Sequence, residues 1–88
     1  MDEGGGVTSY EAWYVDEHGR PCPVRFWSES DRAALAQARA IVRDLKASAV
    51  HRAEGRGIRL KVHRGCYVLV ALLDEAGRVL YRRQHDDN

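Results

Sequence analysis

Two acidic pairs are the first residues to weigh for chemistry. Asp16 with Glu17 and Asp74 with Glu75 open two near-identical pentapeptides, "DEHGR" at Asp16 to Arg20 and "DEAGR" at Asp74 to Arg78. A carboxylate beside an arginine can serve as a general acid or base when burial and neighbours tune its pKa. His18 with Cys22 and His63 with Cys66 form a second constellation, four side chains of the types that bind zinc. A third is the charge of the middle of the chain. Residues 1–31 hold seven acids against two bases, residues 32–66 nine bases against two acids, and residues 67–88 three bases against four acids. The net charge of +1 therefore conceals a basic centre.

The elements around these residues decide what they can do. "SYEAWYV" and "PVRFW" are rich in aromatic and β-branched residues and read as strands flanking "DEHGR". Asp at the first position of a tight turn bonds its own backbone, and the glycine supplies the left-handed conformation of a bulged hairpin. "ALLDEAGRVLYRR" fits the same reading. Both acidic pairs therefore sit at hairpin tips, solvated, without the burial that a catalytic carboxylate needs. No nucleophile elbow or cysteine-protease signature is present, and Gly4 to Gly6 lack the lysine and serine of a phosphate-binding loop. No catalytic residue, cofactor or metal is assigned, and the chain is read as no enzyme.

From Ser28 the period changes. Leu35, Ala38, Val42, Leu45 and Ala49 recur at three- and four-residue steps, joined by Ala34 and Ile41, which predicts a helix over Asp31 to Glu54. Ser28 with Asp31 resembles a capping box, Ser30 is the competing N-cap, and Gly55 is the stop. Such a helix runs about 36 Å against about 24 Å for a seven-residue strand, so it should overhang the sheet or break near Ala47 and Ser48. "IRLKVH" (Ile58 to His63) alternates as a half-buried strand, "CYVLVALL" (Cys66 to Leu73) is apolar on both sides as a central strand is, and Val79 to Arg82 closes the second hairpin.

The expected fold is α+β in the order β-β-α-β-β-β: one mainly antiparallel five-stranded sheet with a single long helix on one face. It forms one domain over residues 1–88, with a leader at 1–7 and a frayed tail at 84–88. Pro21 and Pro23 withhold two donors on one side, so the second strand is an edge. The first strand then lies inside it, beside the third or the fifth. In this topology the "DEHGR" turn and the "RG" turn before Cys66 fall at opposite ends, about 20 Å apart by strand length. That separation rules against the zinc set and against a disulfide between Cys22 and Cys66. With no apolar run of about 18 residues and an acidic, glycine-rich start, the protein is expected in the cytoplasm with reduced thiols. Its Arg, Ala and Gly content has a bacterial look.

The segments "FWSESDRAALAQARAIVRDL" and "LLDEAGRVLYRR" together resemble small bacterial domains of unknown function built from a hairpin, an Ala/Arg-rich helix and a closing strand pair. The resemblance covers about half the chain and implies the fold and a stand-alone character. "GIRLKVHRG" adds a strand that such domains usually lack.

Two surfaces are left as candidates. Arg32, Arg39, Arg43 and Lys46 form a stripe on the helix, and Arg59 and Lys61 project from a strand; these six are the candidate polyanion-binding residues, nucleic acid being the alternative partner. The favoured surface is the sheet face away from the helix. One helix is about 10 Å wide and a five-stranded sheet more than 20 Å, so an apolar second face must be covered. Its candidate residues are Trp13, Tyr67, Leu69, Ala71 and Leu73, and a second copy of the chain is the expected cover, making a homodimer and protein-interaction module. A loop or the leader is the competing cover. Trp13, Trp27 and Tyr67 could serve as base-stacking platforms, but no "RGFGFV"-like segment accompanies them, and core or interface roles fit them better.

Overall fold

The computed structural model describes residues 6–57 and 66–83. Within them the chain forms β1 (Thr8–Val15), β2 (Pro21–Ser28), α1 (Asp31–Gly55), β3 (Leu69–Leu73) and β4 (Val79–Arg82). The class is α+β, one helix on an antiparallel sheet. The sheet has four strands among the described residues rather than five, in the order β2-β1-β3-β4. The strand expected over Ile58 to His63 lies outside the described residues.

β1 and β2 pair without a slip from Thr8↔Ser28 to Val15↔Pro21. Pro21 and Pro23 belong to an edge strand, as their missing donors require. The neighbour of β1 on its other side is β3, through Glu11↔Leu73, Ala12↔Leu72, Trp13↔Ala71 and Tyr14↔Leu69. The expected neighbour was the strand over Ile58 to His63 or that over Val79 to Arg82; the structure instead puts Leu69–Leu73, the fourth strand of the expected order, beside β1. It follows from direction: Tyr67 N–H donates to Val15 O and Val15 N–H donates to Val68 O at 3.2 Å, so the chain enters β3 at the "DEHGR" end and runs back along β1. β3 is internal, which explains why its sequence has no polar side.

β3 is also shorter than the apolar run that announced it. Tyr67 has φ 54°, in the left-handed region, which ends extended structure before Leu69. A non-glycine residue costs about 1–2 kcal/mol there. The Tyr67 ring lies against that of Tyr14, centroids 6.2 Å apart and nearly parallel, a contact that offsets part of the cost.

α1 starts where Ser30, extended at φ −157°, accepts the Ala33 N–H on its hydroxyl at 3.1 Å. Ser30 is thus the N-cap, and the Ser28–Asp31 capping box does not form. Ser28 is buried, and its hydroxyl makes no hydrogen bond among the described residues. The helix runs unbroken to Gly55, past Ala47 and Ser48. Ala34, Ala38 and Val42 join the core with Tyr10, Ala12, Phe26, Leu69 and Leu72, while Ala49 is buried outside that cluster. The sheet therefore holds the first half of the helix and the second half overhangs. Alanine on the helix side lets the backbone approach closely, and the sheet supplies the bulk. Tyr10 and Phe26, cross-strand partners, stack at 5.9 Å between centroids. Each large side chain buried in this layer contributes about 1.5–3 kcal/mol.

Candidate interface opposite the helix

Side chains alternate across a strand. Tyr10 and Ala12 point into the core, so Ser9, Glu11, Trp13 and Val15 point away from the helix. The register carries the same face to Pro21, Pro23, Arg25 and Trp27 on β2 and to Ala71 and Leu73 on β3. It ends at Val79 and Arg82 on β4. Of the five interface candidates, the structure places Trp13, Ala71 and Leu73 together here. Leu69 does not belong with them: a register shift between Trp13 and Tyr14 turns it into the core, where it is 8% exposed. Tyr67 packs with Tyr14 against the same helix-side core. Strict alternation from Cys66 misassigned both, because a bulge reverses the parity of everything before it.

The same face holds residues outside the candidate set. Trp27 is 58% exposed and Val79 53%. Val7, 59% exposed, lies just before β1. These three are the exposed large hydrophobic residues among those described. Pairing Ser9 with Trp27 is the signal that would have found the tryptophan, and it needs the hairpin register rather than composition.

Polar groups on the face are already engaged with one another. Trp13 Nε1 donates to Glu11 Oε1 at 3.0 Å, and Arg25 Nη2 lies 3.7 Å from Glu11 Oε2. The indole and the two charges thus satisfy each other within one copy. Beside them a shallow depression of about 380 Å³ is bounded by Ser9, Glu11, Arg25, Leu73, Asp74 and Glu75. Ser9 Oγ donates to Glu75 Oε1 at 3.4 Å across it.

The "DEHGR" end departs from expectation in one respect. Cys22 Sγ donates to Asp16 Oδ2 at 3.5 Å, and Cys66 Sγ lies 3.8 Å from Glu17 O, so both thiols reach the same turn. The predicted placement at opposite ends is overturned because β3 enters the sheet beside this turn. Both are free thiols. Burial first, and then the Asp16 carboxylate, push the Cys22 thiol above its ordinary pKa, which makes it a poor thiolate. No three His, Cys, Asp or Glu side chains among the described residues converge on a metal-sized point, and His63 lies outside them.

The basic candidates divide. Arg32, Arg39, Arg43 and Lys46 are exposed on α1. Arg39 lies over the Tyr81 ring, its guanidinium carbon 5.3 Å from the centroid, so the stripe borders β4. Arg59 and Lys61 lie outside the described residues. No described helix is long and apolar enough to cross a membrane. No family model, curated protein or solved structure matches the chain.

Proposed function

We propose that the chain is a small non-enzymatic interaction module of the cytoplasm that self-associates through the sheet face opposite α1. The observation that carries this reading is that Trp27 and Val79, two exposed large hydrophobic residues, share that face with Trp13, Ala71 and Leu73. Scattered apolar residues on a surface mean little, but a contiguous set that includes a tryptophan marks a contact surface. Trp13 and Glu11 strengthen the reading, since pre-paired polar groups can enter a contact without being stranded.

Size is compatible. β1 and β2 have eight residues each, β3 five and β4 four, which at about 3.3 Å per residue and 4.8 Å per strand gives roughly 400 Å² of projected plane. Side-chain relief raises the accessible area toward the roughly 600–800 Å² per partner of a modest stable interface. A two-fold pairing of identical faces is the commonest arrangement for a small homo-oligomer. The competing occupant is a different protein with an apolar sheet or helix face.

Trp27→Glu tests the assignment. The side chain is largely solvent-exposed in one copy, so the variant should keep the parent's circular dichroism and melting profile at low concentration while sedimenting as a monomer. Ala71→Glu, on the same face, should do the same. Variants that fold and still sediment as the parent does would reject this face as the contact.

A further inference from the structure

We infer a second surface, independent of the sheet face: a cationic groove between α1 and β4 that binds the phosphate backbone of nucleic acid without reading bases. Two contacts fix its geometry. Arg78 Nη2 meets Asp31 Oδ2 at 3.4 Å, where both elements begin, and Arg39 lies over Tyr81 further along each. α1 and β4 therefore run side by side in the same direction.

At about 100° per residue, Arg32, Arg39, Arg43 and Lys46 fall within roughly 60° of one another on the helix. Arg39 fixes that sector as the flank beside β4. Of the helix's acids, Asp31 pairs with Arg78, Glu54 lies about 12 Å beyond Lys46, and Asp44 is on the other flank, beside Gln37, whose Nε2 donates to Trp27 O of β2 at 3.1 Å. On the strand side, Arg83 N–H donates to Val70 O at 2.9 Å. That bond keeps the chain in register past Arg82 and gives Arg83 the face of Tyr81, toward the helix. From Arg39 to Arg43 the helix rises about 6 Å, and from Tyr81 to Arg83 the strand rises about 6.6 Å. Arg83 thus comes level with Arg43. The four-residue stripe gains Arg83, which was not in the candidate set, and the groove carries Arg39, Arg43, Lys46 and Arg83, with Arg32 at its lower end.

The ligand class follows from the groups and their spacing. Arg39 to Lys46 spans about 10 Å, over which one strand of a duplex offers about three phosphates. Guanidinium groups match phosphate oxygens in a planar, two-pronged geometry. Tyr81, the aromatic residue of the groove among those described, packs against the core and carries Arg39 over its ring, so it is poorly placed for a base to stack on. Binding is then electrostatic and sequence-independent.

Fluorescence anisotropy with a labelled 20-base-pair DNA duplex of arbitrary sequence tests this, with a 20-nucleotide single strand as the second arm. Four phosphate contacts predict a slope of about −3.6 in log affinity against log salt, or about 50-fold weaker binding at 150 mM than at 50 mM KCl. Arg43→Gln with Lys46→Gln, both away from the core, should halve the slope, leaving about a 7-fold change. Arg20→Gln, exposed at the first turn and outside both surfaces, should leave it unaltered. Absence of binding to both probes at 50 mM KCl would overturn the inference. So would a double variant with the parent's slope and an unchanged melting temperature, or a poly-glutamate peptide or anionic phosphatidylserine vesicle binding more tightly than either probe.

Discussion

The two "DExGR" turns share a backbone and differ in almost everything attached to it. In each, the Asp N–H donates to the Arg carbonyl, at 2.9 Å for Asp16 and 3.0 Å for Asp74, and the Gly N–H returns to the Asp carbonyl at 3.0 and 2.9 Å. In each, one carboxylate oxygen collects two further N–H groups, from His18 and Arg20 in the first turn and from Ala76 and Arg78 in the second. Gly19 and Gly77 take φ of 77° and 86°. The second carboxylate oxygen is where they part. On Asp16 it accepts from the Cys22 thiol; on Asp74 it accepts from Arg78 Nε at 3.1 Å. Arg78 then reaches Asp31, which also accepts the Tyr10 hydroxyl at 2.9 Å. The second turn is thereby tied to the helix start and the core, and the first to the entry of β3. Five residues encode a turn; what the turn anchors is decided by distant parts of the chain.

Replacing either glycine should have the largest effect. A Cβ at Gly19 or Gly77 meets nothing within 4 Å, so valine pays backbone strain alone, about 1–2 kcal/mol. Urea unfolding should show similar losses for the two variants. Unequal losses, or none, would break the equivalence of the backbones.

The wiring should separate the turns. Tyr10→Phe removes the hydroxyl that Asp31 accepts and should lower Tm by a few degrees. Arg78→Ala should cost a few tenths of a kcal/mol, since its ion pairs are largely solvated. Arg20→Ala, whose side chain has no ion-pair partner among the described residues, should cost less than that. If Arg20→Ala proved the more costly, the network at the second turn would have no weight in stability.

The smallest effect is a pH dependence. The Arg20 N–H first, and then the His18 N–H, hold Asp16 below its ordinary pKa. A depressed carboxylate contributes stability that is present above the unfolded value of about 3.9 and is lost as pH falls through the lower folded value. Asp16→Asn keeps an acceptor oxygen but does not titrate. The parent's lead over it in urea midpoint should therefore shrink between pH 5 and pH 2. A constant lead would place the contribution in geometry rather than charge.

These contrasts also show what the sequence could display. Short-range signals were legible: both turns, the helix, and the edge position forced by Pro21 and Pro23, while the cap was left open between Ser28 and Ser30. The neighbour of β1 was not, because the added strand over Ile58 to His63 reversed the direction assumed for Cys66 to Leu73. That single reversal also misplaced Cys66. Trp13, Ala71 and Leu73 could be assigned to one face by alternation, whereas Leu69 and Tyr67 could not, since a bulge and a positive φ leave no local mark in an all-apolar run. Trp27 and Arg83 join their surfaces only through register and through the helix-to-strand contact at Tyr81.

Light scattering on a size-exclusion column at micromolar concentration tests self-association most directly. The chain has a mass of 10.0 kDa. A measured mass near twice that value is the expected result, and a mass near 10.0 kDa across the micromolar range would contradict the dimer.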